Sequence, residues 1–372
     1  MAKYKIAWMP GDGVGNDVLD AARIVLDKIK LDAEYIPADI GWEFWRQEAN
    51  PLPDRTIEIL EKTNCALFGA ITSKPKEEAE KELIPELRGK GHVYSSPIVG
   101  LRQRFNLRTN LRPCKAYPDN PLNYRDDIDL TVFRENTEDL YSGVEFFPLP
   151  DELRESLKKH SKKMARFDWS PADKTAVSCR IITEKASENI VRAAFEYAKE
   201  YGKSSVTIVE KPNVIRETSG LMVRTARRVA GEFPGIPLRE ANIDAMCMWL
   251  LKNPQDYSIL VTSNMFGDII SDLAAQLVGG LGFASSGNIG DDYAVFEPTH
   301  GSAPKYAGLY KVNPMATLLT VKLMLDWLGE SNKSGALEEA IAGVIKEGNV
   351  RTYDMGGSNS SLEVAEAVAA KL

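Results

Sequence analysis

Short apolar runs of strand length alternate along the chain with longer stretches whose apolar residues recur at helical spacing. The pattern predicts strands at 4–9, 65–71, 130–134, 205–210 and 258–262, and helices at 17–29, 219–230 and 269–278. Alternation at this spacing predicts an α/β architecture with a largely parallel sheet, because parallel neighbours need a crossover that a helix usually supplies. Two stretches break the rhythm. Residues 147–174 mix prolines with ELRESLKKHSKKMAR, which reads either as a solvated helix face or as a helix on a protruding arm. Residues 279–301, GGLGFASSGNIGDDYAVFEPTHG, hold too many glycines and serines for a plain connection, and long irregular segments in compact domains are usually functional.

Composition narrows the class. The chain has 372 residues, 44% of them hydrophobic, which suits two lobes rather than one core. A net charge of −7 argues against a nucleic-acid surface. The cysteines, Cys65, Cys114, Cys179 and Cys247, are far apart and form no CxxC pair, as expected of a reducing compartment. The histidines, His92, His160 and His300, form no HxxxH pair, so a zinc site is not expected. No charged-then-apolar leader and no apolar run of about 18 residues is visible, so the expectation is a soluble, cytoplasmic protein without a membrane partner.

Four features carry candidate chemistry. GDGVGND at 11–17 follows a predicted strand and opens a predicted helix, but its third glycine comes one residue early for a dinucleotide-binding loop; the alternative is a tight strand-to-helix turn. In FGDIISD, Asp268 and Asp272 are four apart and share a helix face, so they repel unless a cation sits between them. Oxygen ligands of this kind suit Mg²⁺ or Mn²⁺, with Asp244 as a third; the plain alternative is a helix cap at Asp268 and a surface charge at Asp272. LRQRFNLRTNLRP at 101–113 and FRENTEDLYSG at 133–143 supply Arg102, Arg112 and Arg134, whose planar forks suit a di- or tricarboxylic acid if they converge, and solvated surface positions if they do not. Tyr141 and Lys211 sit in polar motifs as an acid and a base, or as structural residues.

These pieces, in this order, resemble the metal-dependent β-decarboxylating dehydrogenases that include the isocitrate, isopropylmalate, homoisocitrate and tartrate enzymes. The landmarks are GDGVGND, LRQRFNLRTNLRP, FRENTEDLYSG, KPN at 211–213, IDAMCMWLL at 243–251, NMFGDIISDLAAQLVGGLG at 264–282, SGNIG at 286–290 and HGSAPKYAGLYKVNP at 300–314. The resemblance implies an isopropylmalate dehydrogenase-like fold, not a Rossmann fold: a large cofactor lobe from residues 1–100 and 253–372, and a small lobe from 101–252 carrying the dimer interface and the arm. It implies that Arg102, Arg112 and Arg134 hold the malate carboxylates and that Asp268 and Asp272 bind Mg²⁺ or Mn²⁺. Asp244 and Lys211 would come from the second chain of an obligatory homodimer, and Asn213 would contact the substrate. Lys211 would take the C2 hydroxyl proton, and Tyr141 would return one to carbon after CO₂ leaves. The cofactor would lie against His300, Gly301, Ser302, Ala303, Lys305 and Tyr306, with Asn313 and Tyr353.

The resemblance favours isocitrate as substrate, through FRENTEDLYSG and Ser96, ahead of homoisocitrate, isopropylmalate and tartrate. Ile98 departs from it, standing where isocitrate enzymes usually have asparagine; with Val99, it occupies positions where isopropylmalate enzymes have leucines. Lys305, Tyr306 and Tyr353 favour NADP over NAD, although Gly357 replaces an arginine of NADP-using members, and Pro212 replaces a small residue after the lysine. A noncatalytic regulatory subunit of the same fold usually lacks the acid and base, which are both present here. A metal-free Rossmann-type hydroxyacid dehydrogenase is the other alternative.

Overall fold

The computed structural model describes residues 2–372. Its strands are β1 (Tyr4–Gly11), β2 (Ala33–Pro37), β3 (Cys65–Ala70), β4 (Thr109–Lys115), β5 (Asp129–Glu135), β6 (Glu145–Phe146), β7 (Val177–Ser178), β8 (Val206–Glu210), β9 (Leu238–Asn242), β10 (Ile259–Thr262), β11 (Ser285–Ile289) and β12 (Ala294–Pro298). Ten form one sheet in the order β2-β1-β3-β12-β11-β4-β5-β10-β8-β9. Both flanks are parallel: β2, β1, β3 and β12 on one side, β5, β10, β8 and β9 on the other. Only the middle ladders, β12–β11, β11–β4 and β4–β5, are antiparallel. The architecture is thus α/β with a largely parallel sheet. β10, which follows residue 253 in sequence, lies between β5 and β8 in the half built from 101–252.

The antiparallel middle creates the site. Residues directly opposite on neighbouring strands share a face, and a sheet of this kind can bury one face while leaving the other polar. Asn288 opposes Asn110, Asn110 opposes Arg134, and Ser286 opposes Glu297; with the two-residue strand period, Arg112 joins the same face. On the other face Leu111, Phe133 and Phe296 enter the main core beneath the helices Glu184–Glu200 and Met315–Trp327.

GDGVGND is a fastening turn. Gly11 and Gly13 have positive φ, and a Cβ at Gly13 would lie 2.1 Å from the Ser302 carbonyl. Val14 N–H donates to that carbonyl at 2.9 Å. Asp12 accepts the backbone N–H groups of Trp42 and Thr72, both at 2.7 Å. Asp17, almost fully buried, accepts those of Gly308 and Tyr310 at 3.0 and 2.9 Å. The motif therefore holds the loop that starts at His300.

The stretch 147–174 lies between β6 and β7, which pair as a separate two-stranded ribbon. Its helix, Asp151–His160, has no buried residue, and Phe147 and Trp169 are 70% and 80% exposed. Among the described residues no helix is long and apolar enough to cross a membrane.

Candidate active site

Arg102, from the helix Pro97–Arg104, and Arg112 and Arg134, from β4 and β5, are all buried and line one cleft of about 260 Å³ together with Tyr141 and Asp268. Arg134 donates through Nε to the backbone and side-chain oxygens of Asn264 at 2.9 and 3.0 Å, and through Nη1 to Asp268 Oδ1 at 2.5 Å. Arg112 donates to Ser271 Oγ at 2.7 Å, to Asp272 Oδ1 at 2.9 Å and to Asp268 Oδ1 at 3.4 Å. Its Nε is held by Asn110 Oδ1 at 2.7 Å. Arg102 is set by Asn288 Oδ1 at 3.0 Å and faces Glu297 at 3.6 Å. Tyr141 donates its hydroxyl to Asp268 Oδ2 at 2.5 Å, with the Arg134 guanidinium over its ring. The sequence left convergence open; the sheet face settles it.

The helix bearing the aspartates begins at Asn264, five residues before the expected start. Asp268 is therefore beyond the first turn, and the capping explanation does not apply to it. Gly267, a poor helix former, weakens the sequence signal for that first turn, but a Cβ there would meet Arg134 Cγ at 2.5 Å.

Three guanidinium groups thus face three carboxylates, those of Asp268, Asp272 and Glu297. Burial lowers the pKa values of Arg134 and Arg102, the neighbouring guanidinium charges adding to the effect. For Asp268 burial acts upward, but Arg134 and the Tyr141 hydrogen bond outweigh it and hold the carboxyl below its ordinary value. Burial, then the bond to Asp268, raises the pKa of Tyr141, so the phenol stays protonated. One cleft wall is apolar, from Ile71, Ile98 and Val99, with Ser96 beside them.

Lys211 and Asp244 lie elsewhere. β8 and β9 run parallel with Glu210 opposite Asn242, which brings the residues just after each strand together: Lys211 Nζ bonds Asp244 Oδ1 at 2.5 Å. Neither lines the cleft, and Lys211 holds the Asp244 carboxyl below its ordinary pKa. Asn213 lines a separate hollow with Lys163 of the arm. Among the described residues, no three acidic, histidine or cysteine side chains are grouped to hold a metal within one chain. The expected triad is therefore not assembled by one chain, whereas Asp268, half-buried, and Asp272, exposed, share one helix face as predicted.

A second cavity, of about 500 Å³, adjoins the cleft at His300 and Gly301 and is also lined by Ala303, Tyr306, Asn313 and Tyr353. His300 Nε2 is enclosed without a protein partner, and burial lowers its pKa. Asn313 is set by Asp354 at 3.0 Å. Ser302 turns inward instead, its hydroxyl 2.6 Å from that of Thr72. Lys305 is not part of the cavity lining; it stands over the Tyr306 ring, and Lys311, not singled out from the sequence, lies over both the Tyr306 and Tyr353 rings. A side chain at Gly357 would strike the Arg351 carbonyl, 2.1 Å from its Cβ, so an arginine does not fit there. Sequence reasoning also missed Asn110, Asn288 and Glu297. Their signal is alternation of polar residues inside strands otherwise buried, as in NLR at 110–112 and SGN at 286–288.

Residues 5–370 match the family model described as isocitrate/isopropylmalate dehydrogenase. The chain is 38% identical to the 3-isopropylmalate dehydrogenase of Methanothermobacter thermautotrophicus, covering 100% of this chain and 99% of that protein. It is also 38% identical to the isocitrate/homoisocitrate dehydrogenase of Thermus thermophilus, with 98% and 97% covered. Protein DlpA of Legionella pneumophila is 37% identical over 98% of this chain, which spans 58% of that longer protein. The crystal structure of isocitrate dehydrogenase from Methylococcus capsulatus superposes with a TM-score of 0.85 at 34% identity, covering 99% of each chain.

Proposed function

Because the chain belongs to the isocitrate/isopropylmalate dehydrogenase family, whose members are metal-dependent decarboxylating hydroxyacid dehydrogenases, we propose that it oxidatively decarboxylates a 2-hydroxy acid with a β-carboxylate, isocitrate to 2-oxoglutarate, with NADP. The convergence of Arg102, Arg112 and Arg134 on Asp268 and Tyr141 carries this reading. Paired arginines and aspartates hold the cleft near neutrality, so an anionic substrate and a divalent cation entering together exchange partners without leaving a buried charge unpaired.

The donor set fits Mg²⁺ or Mn²⁺: Asp268 and Asp272 from one chain with Asp244 from a second copy, all carboxylate oxygens. Lys211 and Asn213 of that copy complete the site. The exposed apolar side chains of Met248, Leu251 and Ile269, on the helices that carry Asp244 and Asp268, support a homodimer joined there. When bound, the cation supplies Lewis-acid polarisation of the hydroxyl and carbonyl oxygens. The cavity at His300 fits a nicotinamide cofactor, whose chemistry is to accept hydride. Lys305 and Lys311 over Tyr306 and Tyr353 suit a 2′-phosphate and support NADP.

In this reading the arginines orient the two malate carboxylates, Lys211 takes the hydroxyl proton, and Tyr141, kept protonated by burial and Asp268, protonates the carbon left when CO₂ departs. Ser96, beside the cleft wall, supports a hydrogen-bonding C3 substituent, as in isocitrate. Ile71, Ile98 and Val99 favour a second reading, an apolar substituent as in 3-isopropylmalate. Steady-state rates with (2R,3S)-isocitrate, homoisocitrate, isopropylmalate and tartrate, each with NAD⁺ and NADP⁺, with and without Mn²⁺, decide between them. Isocitrate is expected to give the highest kcat/KM, and isopropylmalate matching it would overturn the choice.

A further inference from the structure

Outside the cleft a second knot of buried charge, centred on Arg180, joins four other chain segments. Arg180, just after β7, donates through Nε to Asp139 Oδ1 at 2.7 Å. Through its Nη atoms it donates to Ser263 Oγ at 2.7 Å, Ser219 Oγ at 2.9 Å, Thr218 Oγ1 at 3.1 Å and Glu210 Oε2 at 3.1 Å. Asp139 and Glu210 have fully buried side chains. Their remaining oxygens accept from the chain: Glu210 Oε1 from Ser263 N at 3.0 Å, Asp139 Oδ2 from Met265 N at 3.0 Å.

Each partner adjoins a residue of the proposed chemistry. Asp139 has φ +71, a backbone region that L side chains rarely adopt, and the turn it starts carries Tyr141. Glu210 ends β8 and is followed by Lys211. Ser263 and Met265 open the helix that carries Asp268. Because Ser263 makes no side-chain cap of its own, the two carboxylates bind the free N–H groups of that helix start, and Arg180 neutralises them. Five donors in a planar fork make this arrangement; an ammonium has three at a point.

We propose that Arg180 is a positioning residue that sets Tyr141, Lys211 and the Asp268 helix together from one buried guanidinium. The proposal rests on the functional reading above. In that reading Tyr141 and Asp268 serve their own chain's site and Lys211 serves the partner's, so Arg180 links parts of both sites of the dimer.

The test is Arg180→Lys, which keeps the charge but not the fork. In the full-length protein kcat is expected to fall about tenfold or more while the KM of the hydroxy acid rises by a smaller factor, because Arg102 and Arg112 make no bond to the knot and Arg134 meets it only through Asn264. Backbone amide exchange is expected to speed up in peptides covering 139–143, 209–214 and 262–268, and to stay unchanged across β3. Wild-type kcat, or unchanged exchange in those three segments, would overturn the proposal. If the lysine variant does not fold, Asp139→Asn carries the same two readouts with the same expectations. If the wild-type protein turns over no hydroxy acid, the functional reading fails, and exchange alone decides the positioning role: faster in all three segments supports it, unchanged overturns it.

Discussion

Gly267→Ala measures how firmly Arg134 is fixed. The added methyl would lie 2.5 Å from Arg134 Cγ, 2.8 Å from its Cβ and 3.0 Å from Thr262 Cγ2, about 1 Å short of normal carbon contact. Arg134 has nowhere to go: it is 1% exposed, and its guanidinium is held by Asn264 and Asp268. Replacing glycine within a helix gains about 1 kcal/mol of propensity. Overpacking a closed site costs about 1–3 kcal/mol. The variant should therefore be less stable by up to about 2 kcal/mol, read as a lower urea midpoint with an unchanged m-value. A hydrogen bond to a charged group is worth about 1.5–3 kcal/mol, so displacing the guanidinium should raise the KM of the hydroxy acid about ten- to a hundredfold. The KM of the cofactor should not move. A variant more stable than the wild type by the propensity gain, with an unchanged KM, would refute a fixed, substrate-holding Arg134.

Asp17→Asn should loosen the loop at 308–310, because the buried carboxylate accepts two backbone N–H groups there; the cofactor KM should rise several-fold with the hydroxy-acid KM unchanged, and equal rises in both would contradict a loop-specific effect. The Asp268 carboxyl titrates below its unfolded value, so its contribution to stability is fully present above about pH 5, near and above the unfolded carboxylate pKa, and is lost as pH falls through the folded value. The urea-midpoint difference between wild type and Asp268→Asn should accordingly be constant from neutrality to about pH 5 and shrink below about pH 4; a difference that grows on acidification would contradict it.

Element types were legible where apolar runs were long and bounded, as at β1, β3, β8 and β10. What the periodicity does not carry is the order of strands. β10 sits between β5 and β8 with every residue of Ile259–Thr262 buried, as a strand covered on both faces of a parallel flank requires, and the run alone does not say which neighbours cover it. Asp268, Asp272 and the arginines were visible as residue types at spacings that suit chemistry, but their convergence depends on register across three antiparallel ladders. Glu297 and Asn288 were missed because each looks like one more polar residue in an irregular glycine-rich stretch. Lys311 became visible only when the loop after His300 brought it over Tyr353, a residue far along the chain. Arg180 gave no local signal, since its partners Asp139, Glu210, Thr218, Ser219 and Ser263 come from stretches far from it in sequence.

The central claim is that each working site is divided between two copies of the chain. Lys211→Met and Tyr141→Phe homodimers should each be nearly inactive. After the two variants are mixed, dissociated and allowed to re-pair, half the dimers will be mixed, and each will hold one site with both residues intact, so turnover should return to about one quarter of the wild-type value. Activity that stays at the level of the separate variants after verified re-pairing would place Lys211 and Tyr141 in the same chain's site and contradict the account.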